Sequence, residues 1–80
     1  MIDQETKERL VIRTDEQAGP YLMVPLNQLP QVRDLLQRHR IANWVDDDAI
    51  QLDGKAVIAI VNFGRGAESP YLQQLLDEID

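Results

Sequence analysis

One stretch of this sequence, Ile50 to Ile79, constrains the fold more than any other, because it reads as a hairpin that leads into a helix. Asp53-Gly54 predicts a two-residue hairpin turn, since both central residues of such a turn adopt positive φ. The run from Ala56 to Phe63 carries no charge and is rich in Val and Ile, which is typical of a strand. This strand is the most strongly indicated element of the chain.

A helix is predicted soon after this strand. Gly64-Arg65-Gly66 forms the connection, and Ser69-Pro70 is a typical helix start, with Ser69 as a candidate N-cap. The apolar residues beyond it recur at helical spacing and are Leu72, Leu75, Leu76 and Ile79.

The first half of the chain predicts the same succession of two strands and a helix. The strands are expected over Arg9 to Thr14 and over Tyr21 to Leu26, with turn residues 15–20 between them. The helix is expected to begin near Asn27, a candidate N-cap. Its apolar face follows the i, i+3, i+4, i+7 pattern and consists of Val32, Leu35, Leu36 and His39.

A third strand is predicted from Ile41 to Val45, and it resumes from Ala49 to Leu52 after three aspartates. The element order is therefore ββαββα. Right-handed crossovers, with both helices side by side on one face, place the second and fourth strands in the middle. The sequence predicts an α+β two-layer sandwich with a four-stranded antiparallel or mixed sheet of order 1-2-4-3, which is a permuted ferredoxin-like arrangement.

The size and charge of the chain limit what it can be. Its 80 residues predict one domain, 1–80, in which polar residues 1–8 form a frayed lead-in. A net charge of -6 disfavours nucleic acid and anionic membranes as partners. The absence of cysteine excludes disulfides and thiolate metal sites, and it favours a cytoplasmic protein. No apolar run approaches the roughly 20 residues needed to cross a bilayer.

The predicted central strands are apolar on both faces. On the fourth strand, Ile58 and Ile60 point to one face of the sheet and the other apolar residues point to the opposite face. On the second strand, Tyr21 and Met23 point to one face and its other apolar residues point to the opposite face. Because two helices cover only one face, we expect something to cover the other. A second copy of the chain is the leading expectation, with Trp44 contributing, and another protein or a bound ligand comes next. The alternative is cover by the N-terminal segment or by the loop around Trp44.

The loop before the second helix is a candidate anion site. Glycines flanking Arg65 would aim N–H groups at an anion beside a helix N-terminus, and the guanidinium would add a charge-assisted contact. The predicted ligand residues are Gly64, Arg65, Gly66 and Ser69. The alternative is a tight turn followed by a capped helix, which the nearby Glu68 favours because it would repel an anion.

The other polar features predict neither catalysis nor a metal. Asp46-Asp47-Asp48 invites a metal site, but consecutive residues of an extended chain point to opposite sides, so a solvated turn is expected. His39, the single histidine, has no partner group and is expected to be partly buried and structural.

The two predicted helices carry opposite charges. Arginines make the first helix basic, and carboxylates make the second acidic; they are Arg33, Arg38, Arg40, Asp77, Glu78 and Asp80. One interpretation pairs these groups across the helix seam. The acids in the last turn of the second helix oppose its dipole, which indicates either a partner that offers cations or a frayed helix end.

Three functions fit these features. The leading hypothesis is a non-catalytic interaction module, without cofactor, that binds itself or another protein through the second sheet face. The alternatives are a regulatory domain that binds a small anionic ligand at the Gly64-Arg65-Gly66 loop, and an acidic inhibitor of a protein with a basic site. An enzyme is not expected, since one histidine, one serine and no cysteine leave little catalytic chemistry.

Overall fold

The computed structural model describes residues 1–46 and 57–78, and within them it has four strands and two α-helices. In chain order the elements are β1 (Arg13–Asp15), β2 (Gly19–Pro25), a 3-10 turn (Leu26–Gln28), α1 (Leu29–Arg38), β3 (Trp44–Val45), β4 (Ile58–Asn62) and α2 (Ser69–Asp77). The predicted α+β class is confirmed. The predicted Asp53-Gly54 turn, the strand from Ala49 to Leu52, and Asp47, Asp48, Ile79 and Asp80 lie outside the described residues.

The four strands form one sheet of order β1-β2-β4-β3, the order that the sequence predicted. Every neighbouring pair is antiparallel. The long central pair is β2 with β4, in which Leu22 lies opposite Val61. Val45 of β3 pairs with the same Val61 from the other side. The sequence order and the spatial order therefore differ only in the exchange of β3 and β4.

The core lies on one face of this sheet, called here the inner face. Its strand residues are Leu22, Val24, Ala59 and Val61, each at most 2% exposed. The same buried cluster contains residues of both helices, namely Val32, Leu35, Leu36, Leu72 and Leu76. Alternation along the strands and the i, i+3, i+4 spacing along the helices account for this set.

The first strand begins later than predicted, at Arg13 rather than Arg9. The N–H of Ile12 donates to Oε1 of Gln73 at 2.7 Å, and Nε2 of Gln73 donates to the carbonyl of Leu10 at 3.0 Å. A side chain of α2 therefore supplies the hydrogen bonds that a neighbouring strand would have given. The prediction was wrong because it assumed strand partners for these peptide groups.

The second strand is also shifted, since it starts at Gly19 and ends at Pro25. Gly19 and Pro20 belong to the ladder and not to the turn, because Gly19 pairs with Asp15. Leu26, predicted as the last residue of this strand, opens the 3-10 turn and is 46% exposed. Pro25 ends the strand, as expected for a residue that lacks an N–H.

The N-terminal residues, predicted as a frayed lead-in, form a short hairpin instead. Ile2 bridges to Arg9, and the N–H of Asp3 donates to the carbonyl of Glu8 at 2.8 Å. Met1 is only 4% exposed, and its ammonium group donates to the carbonyl of Leu76. Burial of Met1 anchors the segment beside α2.

Neither predicted N-cap has that role. Gln28, the last residue of the 3-10 turn that contains Asn27, occupies the N-cap position of α1, and Glu68 occupies that of α2. Ser69 is the first helical residue of α2. A proline lies in the first two positions of each helix, which leaves one fewer N–H in need of a cap.

His39 is exposed, in contrast to the predicted partial burial. It is the C-cap of α1, so the apolar face of the helix ends at Leu36 before reaching it.

Candidate functional site: the outer sheet face

The face of the sheet opposite the core, called here the outer face, holds all five of the predicted interface residues. One row of paired residues crosses all four strands, from Arg13 through Tyr21 and Asn62 to Trp44. The next row contains Met23 opposite Ile60, and Ile58 lies opposite Pro25 one step further. The predicted residues therefore form one contiguous patch, consisting of Tyr21, Met23, Trp44, Ile58 and Ile60.

The exposure of this patch differs from that of the inner face. Tyr21, Met23, Ile58 and Ile60 are half-buried, whereas their inner-face neighbours Leu22 and Val61 are at most 1% exposed. Trp44 is 53% exposed and is the most exposed large hydrophobic residue of the described chain. A contiguous set of apolar side chains that remain partly in contact with water is a candidate surface for binding another apolar surface.

A buried amide lies in the middle of the outer face. Asn62 is 8% exposed, and its Nδ2 donates to Oδ1 of Asp46 at 2.7 Å. The N–H of Asp46 donates in turn to the carbonyl of Ile60 at 3.0 Å, which continues the β3–β4 ladder. The side-chain amide of Asn62 therefore has a hydrogen-bond partner, and this bond holds the Asp46 carboxylate at the β3 edge of the outer face. Sequence reasoning missed this pair, although a lone asparagine inside an apolar strand is a visible signal.

Trp44 joins the outer face to the glycine loop. A Cβ built on Gly64 would lie 3.6 Å from Cζ3 of the indole, so the ring packs beside this glycine. Trp44 itself belongs to edge strand β3, paired with Asn62. The N-terminal hairpin, the other segment considered as cover, makes its hydrogen bonds to Gln28 and Leu76.

The Gly64-Arg65-Gly66 loop packs against the β1–β2 turn. Nε of Arg65 donates to the carbonyl of Gln17 at 2.5 Å. Gly64 has φ +88°, and its carbonyl accepts from the N–H of Ala67 at 3.2 Å. Arg65 therefore links the Gly64-Arg65-Gly66 loop to the β1–β2 turn.

The predicted anion ligands do not all meet in one groove. Arg65 and Ser69 border a groove of about 460 Å³, whereas Gly64 and Gly66 do not, and Asp15 and Glu16 border it too. Two carboxylates beside the guanidinium favour the structural alternative of a tight turn. The anion site remains a prediction.

Asp15 makes the β1–β2 turn sensitive to acid. Its Oδ1 accepts from the N–H groups of Ala18 at 3.0 Å and Gln17 at 2.7 Å, and these bonds lower the pKa of the carboxyl below its ordinary 3.8. A group with a lowered folded-state pKa stabilises the fold above 3.8, and this contribution is lost as the pH falls through the lowered value.

We expect Asp15→Asn, which keeps the acceptor oxygen but does not titrate, to be less stable than the wild type at neutral pH. The two proteins should converge in stability as the pH falls through the folded-state pKa of Asp15. Urea unfolding at a series of pH values measures both curves. A stability difference that stays constant through the acid range would contradict this role of the carboxylate.

Comparison of the chain with protein-family models, curated proteins and solved structures finds no significant match. Within residues 1–46 and 57–78, the helices are too short and too polar to traverse a lipid bilayer.

Proposed function

We propose that this protein is a non-catalytic interaction module that pairs with a second copy of itself through the outer face. The observation that carries the proposal is the contiguous patch formed by half-buried apolar side chains on the two central strands and by the exposed Trp44. An 80-residue domain has a marginal core, and burying this patch in a dimer would enlarge it.

The proposal includes the layer arrangement. With the helices side by side against the inner face, the fold is a permuted ferredoxin-like sandwich of two layers, and the outer face is the side away from the helices. The shared buried cluster of inner-face strands and both helices supports this arrangement.

Charges at the two edges of the outer face favour a second copy as the occupant. Arg13 lies on edge strand β1, whereas Asp46 continues the opposite edge strand β3. If two sheets stack about a twofold axis parallel to the strands, β1 of each copy lies over β3 of the other. Arg13 of one copy then lies over Trp44 of the other, one row from Asp46, where a cation–π contact and an ion pair are both within reach. The face is therefore complementary to itself.

A charge in the centre of this patch tests the proposal. We expect Ile60→Lys to be a folded monomer, because a lysine ammonium cannot be buried between two apolar faces but is hydrated on a free one. The wild type should show a monomer–dimer equilibrium in sedimentation velocity over a concentration series, with far-UV circular dichroism reporting the fold of both proteins. Gln31→Lys, on the exposed side of α1, is the matched control and should dimerise as the wild type does.

A second variant tests the edge contacts. Arg13→Asp should weaken the dimer about tenfold, because the proposed ion pair and cation–π contact are lost and two carboxylates face each other. A wild type that is monomeric at every concentration, or an Ile60→Lys protein that dimerises unchanged, would rule out self-association through this face.

A further inference from the structure

Helix α1 ends in a conformation that normally requires glycine. Arg40 follows the C-cap and has φ 55°. Its N–H donates to the carbonyl of Gln37 at 3.1 Å, and the N–H of Ile41 donates to the carbonyl of Leu36 at 2.9 Å. These two bonds form a Schellman motif, in which glycine is preferred because a Cβ is strained in the left-handed region. An arginine here is strained relative to glycine, and residues held in this region cluster at ligand-binding and active sites.

Arg40 lines a groove on the surface of α1. The groove has a volume of about 780 Å³, and Arg33 and Gln37 of the helix line it together with Ile41 and Ala42 of the following segment. This volume lies within the range of about 300–1,000 Å³ that is typical of ligand sites. The groove shares no residue with the outer face.

The charge in the groove is positive and unbalanced among the described residues. Asp34 also lines the groove, but its Oδ2 accepts from Arg38 at 2.5 Å. Within the described part of the chain, no carboxylate lies within ion-pair distance of Arg33 or Arg40. The protein carries a net charge of -6, so this local excess of guanidinium groups runs against its overall charge.

The spacing of the two arginines indicates the shape of the ligand. Arg33 lies on α1 and Arg40 lies seven positions later, one residue beyond the C-cap, which at the helical rise corresponds to about 10 Å between their Cα atoms. A peptide in the polyproline II conformation has three residues per turn and rises about 3.1 Å per residue, so carboxylates three residues apart lie on one side of it, about 9 Å apart, and match this separation. Ile41 and Ala42 supply apolar contact beside the two charges. We propose that this groove binds an acidic peptide segment of a partner protein, with Arg33 and Arg40 each holding one carboxylate.

The test is a titration of the intact protein with a hexaglutamate peptide, followed by the Nε–Hε resonances of its arginines. We expect the resonances of Arg33 and Arg40 to shift together with one dissociation constant. Arg33→Gln should weaken binding about tenfold, because one charge-assisted pair is lost. Arg9→Gln, which removes an exposed arginine paired with Asp77, is the charge-matched control and should bind as the wild type does.

The variant Arg40→Gly distinguishes a ligand-binding role of Arg40 from a purely structural role. Glycine relieves the strain at this position, so the melting temperature should rise by about 4–8 °C. The same variant should bind hexaglutamate about tenfold more weakly. Greater stability with weaker binding would support the assignment, whereas a fall in stability or unchanged binding would overturn it.

Three other outcomes would also overturn the proposal. The first is the absence of any shift at millimolar peptide. The second is an equal loss of affinity in Arg9→Gln, which would reveal non-specific charge attraction. The third is saturation of both arginines by inorganic sulfate at the same concentration as by the peptide, which would indicate a small-anion site.

Discussion

Gly19→Ala is expected to lower the free energy of unfolding by about 3 kcal/mol. Gly19 has φ +87°, a conformation in which an alanine is strained. A Cβ at this position would also lie 2.7 Å from the carbonyl carbon of Gly64 and 2.8 Å from Cα of Arg65. Both contacts are with backbone, so no side-chain rotation can relieve them. A domain of this size has a stability of roughly 4–12 kcal/mol, so this loss is a large share of it.

Two other glycines separate the effect of strain from the effect of crowding. Gly64 has φ +88°, but its added Cβ would meet only the Trp44 ring at ordinary contact distance, so Gly64→Ala should cost about 1 kcal/mol. Gly66 has neither a positive φ nor any neighbour within 4 Å of an added Cβ, so Gly66→Ala should change stability by less than about 0.5 kcal/mol. Urea unfolding of the three variants measures the series. Equal losses at Gly19 and Gly64 would show that the close backbone approach is absent.

The second large effect is expected for Gln28→Leu, which should cost about 2 kcal/mol. The side chain of Gln28 is 2% exposed, and both the oxygen and the nitrogen of its amide make hydrogen bonds to the N-terminal hairpin. Its Oε1 accepts from the N–H of Gln4 at 3.1 Å, and its Nε2 donates to the carbonyl of Ile2 at 2.7 Å. Leucine fills a similar volume but leaves both backbone groups without these partners.

Gln31→Leu is the control for this substitution. It makes the same chemical change on an exposed position of α1 and should leave the unfolding midpoint within the error of the measurement. Amide hydrogen exchange gives an independent readout, since the N–H groups of Gln4 and Leu10 should lose protection in Gln28→Leu alone. Unchanged exchange at these amides would contradict the bridging role of Gln28.

Much of the sheet could be predicted because its residues follow simple periodicities. The apolar run around Val61 indicated the strongest strand, and Val32, Leu35 and Leu36 indicated the buried side of α1. Once the order ββαββα was known, the handedness of crossovers limited the strand order to 1-2-4-3. These features depend on local pattern and chain connectivity, which a single sequence contains.

The ends of the elements could not be predicted, because distant side chains determine them. The N-terminal hairpin depends on Gln28, and the late start of β1 depends on Gln73. Both glutamines satisfy backbone groups more than 20 positions away, and nothing in local propensity marks a surface-type residue for this role. The predicted partial burial of His39 was wrong because α1 ends at Arg38, whereas the periodic pattern in the sequence continues to His39.

The apolar residues of the candidate site could be predicted from the sequence, but the charges at its edges could not. Alternation along β2 and β4 placed Tyr21, Met23, Ile58 and Ile60 on one face. The charges at its edges became visible only when the register aligned Arg13 with Trp44 across the sheet. Arg40 was counted as part of a basic helix, and its unusual φ depends on how α1 terminates.

The pairing of β2 with β4 affects how the chain reaches this fold. Tyr21 and Asn62, partners in the middle of the sheet, are separated by a helix and an edge strand along the chain. Closing this long loop has an entropic cost that no local contact offsets beforehand, so the central ladder should form late and set the folding rate. During synthesis, the first hairpin and α1 leave the ribosome without their main partner, and their apolar side chains stay in water until β4 emerges.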